Sequence, residues 1–118
     1  MKNKVEDIER IIKGVKPLSV NQAWRGGRRF KTKEYEDYKT ELDHLIKSPI
    51  LPLKGELKLE VEFGLTQKTF NRSDLDNLLK PLIDLLQDKG FFENDKQIFK
   101  ITAEKLISED YFIKFKLV

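Results

Sequence analysis

A chain of 118 residues, 36% of them charged and with a net charge of +3, fits one domain that buries roughly two thirds of its unfolded surface. The absence of cysteine excludes disulfides, thiolate zinc sites and cysteine nucleophiles. With neither a signal peptide nor a long apolar run, the expected setting is cytoplasmic and away from the membrane.

Residues 1–7 are expected to fray, and Ile8 to Val15 reads as a first strand that ends at Pro17. From Arg25 to Lys33 the chain reads R-G-G-R-R-F-K-T-K, with five basic residues and no acid. Gly26-Gly27 lets this segment bend, and Trp24 and Phe30 bracket its charges with rings. Such a segment can follow a phosphate backbone and set rings against bases, with Arg25, Arg28, Arg29, Lys31 and Lys33 as the contacts. A solvated loop whose two rings pack inward is the competing account. Thr32 is suited to cap a helix from Lys33 to about Lys47, with Tyr35, Tyr38, Leu42, Leu45 and Ile46 on its inner face. His44, the one histidine, lies on that helix far in sequence from any acid cluster, which suits a surface or packing role.

Ser48 to Gly55, with two prolines, is a break. Leu57, Leu59, Val61, Phe63 and Leu65 then alternate with charged residues, the clearest half-buried strand in the chain. Leu75, Leu78, Leu79, Leu82, Leu85 and Leu86 recur at the offsets of one apolar helical face, and Gly90 is placed to end that helix. Pro81 falls inside it and predicts a kink. Phe99, Ile101 and Ala103 form another strand, Ser108-Glu109-Asp110 turns the chain, and Tyr111, Ile113, Phe115 and Leu117 form the last. The order β-α-β-α-β-β predicts an α/β (α+β) domain of two layers over residues 1–118, a mixed sheet covered by helices.

The chemistry is concentrated between Ser73 and Gln97. Asp74 and Asp76 sit at the lip of the leucine-rich helix, Asp95 follows its far end, and Lys80 lies between them in sequence. Asp74 or Ser73 fits the N-cap position, with Asp76 in the first turn. Asp76, Lys80 and Asp84 form a polar stripe opposite the leucines. Clustered carboxylates repel one another unless a cation lies between them, so the pattern points to a hard metal ion. In a basic protein its natural substrate is a phosphodiester, and Arg72 adds a positive point beside the acids. Taken alone, D-x-D at a helix start is weak evidence, since acids there ordinarily cap and solvate the helix.

The run D-L-D-N-L-L-K-P-L-I-D-L-L-Q-D-K-G-F-F-E-N-D-K-Q, from Asp74 to Gln97, resembles the signature of the RusA-type Holliday junction resolvases. K-P-L-S-V-N-Q-A-W, from Lys16 to Trp24, resembles that family's opening segment, and the two runs stand in the family's order. The resemblance implies a magnesium-dependent, homodimeric endonuclease that nicks four-way DNA junctions symmetrically. By position, Asp74, Asp76 and Asp95 match the family's essential carboxylates and Lys80 its active-site lysine. Asn77, Asp84, Gly90 and Gln97 match further signature positions. Asn94 departs from the pattern, since family members often carry two adjacent acids there.

On this reading Asp74, Asp76 and Asp95 hold one or two magnesium ions that activate water and polarise the phosphoryl oxygen. Lys80 steadies the charge of the transition state or orients the water. Two rival functions are a catalytically silent nucleic-acid-binding module, whose acids only cap and solvate a helix, and a metal-dependent transferase that holds a nucleotide-sugar diphosphate through D-x-D.

Overall fold

The structure, a computed structural model, describes residues 7–20, 24–25 and 30–118. The elements in chain order are β1 (Ile8–Lys13), β2 (Trp24–Arg25), β3 (Phe30–Lys31), α1 (Lys33–Leu45), β4 (Leu57–Leu65), α2 (Gln67–Arg72) and α3 (Leu75–Asp88). A turn of 3-10 helix (Asp95–Gln97) leads into β5 (Ile98–Ile107), and β6 (Phe112–Leu117) ends the chain. Four strands make one mixed sheet in the order β1-β6-β4-β5. β6 pairs antiparallel with both β1 and β4, and β4 pairs parallel with β5. The two-layer α+β architecture expected from the periodicities is the one observed.

One sheet face carries the core. Leu57, Leu59, Val61, Phe63 and Leu65 of β4 and Ile113, Phe115 and Leu117 of β6 are all buried, while Lys58 and Glu60 between them are exposed. Against this face lie Tyr35, Tyr38 and Leu42 of α1 and Leu78, Leu82, Leu85 and Leu86 of α3. Each such leucine contributes about 1.5–3 kcal/mol through removal from water. Phe91 follows α3 and meets Phe115 edge-on, ring centroids 5.6 Å apart.

Parallel neighbours cannot be joined by a hairpin, so the chain between β4 and β5 must cross over. That crossover contains α2, α3 and the 3-10 turn, and with them every acid of the motif. Thr66 caps α2 and Thr32 caps α1. Past α3, Gly90 takes φ +84° and its N–H donates to the carbonyl of Gln87, which turns the chain toward Phe91.

Several expectations are adjusted. The first strand stops at Lys13, because Gly14 at φ +83° donates its N–H to the carbonyl of Tyr111 and leaves the ladder. Leu45 is 52% exposed, because α1 ends there and Ile46 turns inward in extended backbone instead. α3 does continue on both sides of Pro81, as the leucine face requires, and the proline ring is buried. Tyr111 precedes β6 rather than opening it. The short α2 and the two-residue pair β2–β3 were unforeseen, being too short to show a period. Phe99 and Ile101 do belong to a strand, but at its solvent edge, 58% and 44% exposed.

Candidate active site

α3 sets the geometry of the acids. Asp74 occupies its N-cap position in extended backbone, yet its side chain makes no capping hydrogen bond. That carboxylate instead accepts a 3.4 Å contact from the Asn77 side-chain amide, one turn along. Ordinary capping therefore does not account for Asp74. Asp76 lies in the first turn of α3 and is exposed. Both acids stand at the positive end of the helix dipole.

Asp95 is elsewhere. Its backbone N–H donates to the Gln87 side chain at 3.2 Å, which ties it to the last turns of α3. Gln87 lies eleven positions along the helix from Asp76, roughly 16–17 Å at 1.5 Å per residue. Among the described residues, no three His, Asp or Glu side chains converge on a position that would hold a cation. The fold thus keeps Asp74 and Asp76 at one end of α3 and Asp95 at the other.

Lys80 donates to Asp84 at 2.9 Å, an i,i+4 pair on the exposed stripe of α3. Asp84 is held more deeply, so it anchors the lysine rather than following it. The remaining signature positions have structural duties. The Gln97 amide donates to the carbonyls of Leu53 and Gly55 at 3.0 and 2.9 Å, and its carbonyl accepts from the N–H groups of Glu93 and Asn94. Asn94 accepts from the Lys96 N–H at 2.9 Å and caps the 3-10 turn, a duty Asn and Asp perform equally well.

A groove of about 590 Å³ opens beside Asp74. Asp74, Asn77 and Leu78 line one part, and Lys16, Lys68, Arg72 and Tyr111 line the rest. The opening run that begins at Lys16 and the acidic run at Asp74, far apart in sequence, meet here. The Tyr111 hydroxyl lies 2.8 Å from that of Thr69 and 3.4 Å from that of Thr66. These hydrogen bonds, with lesser help from the charges of Lys16 and Lys68, hold it below the usual phenol range. Lys105 of β5 donates to the carbonyls of Phe70 and Ser73, each at 2.7 Å, and fixes the backbone that leads into Asp74.

Of the basic residues expected to touch nucleic acid, Arg72 is exposed on this groove. Lys33 is exposed and pairs with Asp37 at 3.1 Å. Arg28 and Arg29 lie outside the described residues. The backbones of Arg25 and Lys31 belong to the paired strands β2 and β3. Lys16, Lys68 and Tyr111 were missed as site residues. Only the place of Lys16 in the family-like opening run hinted at one of them.

Comparison with known proteins decides the family. The model of the family described as "Endodeoxyribonuclease RusA" matches residues 15–116. The chain belongs to the RusA endodeoxyribonuclease family. It is also 30% identical over 83 residues to the crossover junction endodeoxyribonuclease rusA of Enterobacteria phage HK97, covering 69% of each chain. RusA membership agrees with the two sequence runs that this fold brings to one groove. No helix among the described residues is long and apolar enough to cross a membrane.

Proposed function

We propose that this protein is a magnesium-dependent endonuclease that nicks four-way DNA junctions symmetrically, as a cytoplasmic homodimer in which residues 1–118 form one nuclease domain. One observation carries the reading: the Asp74 carboxylate, which makes no capping bond, opens on a groove whose other charged side chains among the described residues are Lys16, Lys68 and Arg72. A cationic groove suits a phosphate backbone, and a carboxylate in it would repel that backbone unless a cation came between.

The donor chemistry fits magnesium, which takes oxygen ligands and is commonly held by one or two carboxylates together with substrate phosphate. Asp74 and Asp76 would hold it. When bound, such an ion lowers the pKa of a water and polarises the phosphoryl oxygen. The chain's own residues supply the positioning. Lys16, Lys68 and Arg72 grip phosphates along the strand, Asn77 orients the Asp74 carboxylate, and Lys105 holds the backbone ahead of it. Lys80, steadied by Asp84, offers positive charge to the phosphate as it reacts. The two-fold symmetry of a four-way junction is matched by two copies, one for each strand cut.

The test is incubation with a synthetic four-way junction, in magnesium and in chelator. Paired nicks in opposed strands are expected in magnesium alone. Asp76→Asn should remove cleavage and leave junction binding within a few-fold. Binding without any product, in wild type as in the variant, would favour the silent binding module.

A further inference from the structure

Three hydroxyl groups meet on the wall of the groove that holds Asp74. Thr66 is the N-cap of α2, Thr69 lies in its first turn, and the phenol of Tyr111 reaches both from just before β6. The backbone of Tyr111 is pinned where β1 ends, since its carbonyl accepts the N–H of Gly14 at 2.8 Å. The Lys16 ammonium lies 6.0 Å from the centre of its ring. Tyr111 is thus held at its backbone, its ring and its hydroxyl.

Each hydroxyl has one proton, and this fixes the direction of the bonds. Thr66 Oγ1 accepts the cap bond from the Thr69 N–H, and the Thr66 hydroxyl donates to Thr69 Oγ1 at 3.1 Å. The single hydroxyl proton of Thr69 then goes to the Tyr111 oxygen, 2.8 Å away. The Thr66 oxygen is 3.4 Å from the phenol, too far for a good O–H···O bond. Among the described residues Tyr111 has no further hydrogen-bond partner for its hydroxyl. The phenol ends a chain of donors with its own proton unspent, in a groove lined by Lys16, Lys68 and Arg72.

We propose that Tyr111 binds substrate, its hydroxyl donating to a non-bridging oxygen of one phosphate of the strand that lies in the groove. This rests on the reading of the groove as the path of DNA, and adds a neutral donor to its three cations. The two kinds of contact do different work. A lysine or arginine attracts any phosphate within reach, and salt weakens it. A hydroxyl steered by two threonines is directional and releases no counterion, so it fixes where along the strand a phosphate stops. Thr66 and Thr69 act through Tyr111 and are positioning residues.

Tyr111→Phe keeps the ring and removes only the hydroxyl. Single-turnover cleavage of a synthetic four-way junction in magnesium, followed against enzyme concentration, separates affinity from rate. The half-saturating concentration should rise about tenfold, the scale of one hydrogen bond to a charged acceptor. The slope of log affinity against log salt should stay that of wild type, because no charge is lost. Thr69→Val should weaken binding by less, and add nothing when Tyr111 is already Phe. Neutral methylphosphonates placed one at a time along the cut strand should reveal one position that weakens wild type but hardly changes Tyr111→Phe.

A Tyr111→Phe variant with wild-type affinity overturns the hydroxyl contact, and a weak Tyr111→Leu beside it would assign the ring to stacking on a base. A methylphosphonate scan in which every position affects both proteins alike also overturns it, since the variant has then lost affinity through its own structure. Either result leaves the DNA path standing when wild type cuts the junction. A wild type that neither binds nor cuts the junction overturns both.

Discussion

Lys105 and Ser73 are joined by a 2.7 Å hydrogen bond from the lysine ammonium to the serine carbonyl, one residue before the first acid of the motif. The same ammonium binds the carbonyl of Phe70 and lies 4.3 Å from the centre of its ring. A cation here satisfies carbonyls at the end of α2, and so fixes the angle at which the chain enters α3.

Lys105→Met keeps the stem and removes both bonds. Stability is expected to fall by about 1–2 kcal/mol, the scale of charge-assisted hydrogen bonds made at a partly exposed site. The melting temperature should drop by several degrees. Junction cleavage should fall more than junction binding, because the substitution frees the backbone of Asp74 without removing a charge from the groove. Paired melting and single-turnover measurements check this. Equal reductions in both would show that Lys105 touches DNA itself.

Gly64 is paired with Phe112 across β4 and β6, and the phenyl ring occupies the space of its missing side chain. A Cβ there would stand 2.1 Å from two ring carbons, so Gly64→Ala must push the ring aside. The expected cost is about 1–3 kcal/mol, in the range of overpacked cores. Adding Phe112→Leu should recover part of it. A double-mutant cycle in urea measures the coupling, and strict additivity would mean that the ring moves without strain.

Alkaline pH should unfold the protein through Tyr35. Burial, then its 2.7 Å hydrogen bond to Asp88 and that carboxylate's charge, raises the hydroxyl far above its ordinary value near 10. The folded chain therefore keeps a proton that the unfolded chain gives up above about pH 10. Stability falls as pH rises beyond that point, because the unfolded state then binds fewer protons. Tyr35→Phe should be less stable than wild type at pH 7, having lost the bond to Asp88, yet decline less between about pH 9 and pH 11. Urea midpoints across that range decide it. Parallel curves would assign the alkaline decline to other groups, Tyr38 first, since burial raises it as well.

The groove makes its own prediction. Lys68→Ala with Arg72→Ala should weaken junction binding and reduce the slope of log affinity against log salt by about one for each phosphate no longer neutralised. Arg28→Ala with Arg29→Ala applies the same measurement to the basic segment. An unchanged slope in either pair removes that pair from the DNA path.

Most of the fold was legible because its elements carry long, clean periods. The alternation from Leu57 to Leu65 and the leucine stripe of α3 each repeat enough times to fix an element and its buried face. The six residues of α2 show no such stripe, and none is fully buried. Asp74, Asp76 and Asp95 were legible as residues, since acids at a helix start and after its glycine stop stand out. Their separation was not, because nearness along the chain hid the length of the helix between them. Lys16, Lys68 and Tyr111 reach one groove only through the crossover and the pairing of the chain ends, which local pattern does not encode.

The strand order has a consequence for how the protein comes into being. β6 is last in sequence but sits inside the sheet, with β1 on one side and β4 on the other. Ile8 finds its partner at Leu117, so the first strand waits until β6 has been made. Pairings this distant in sequence close slowly, and during synthesis the core of β4 and α3 stands without its middle neighbour. A chain cut off before Phe112 lacks an interior strand rather than a tail. Closure of the sheet therefore follows synthesis of the segment from Asp74 to Asp95, and a chain stopped before Phe112 leaves β1 and β4 with unpaired edges.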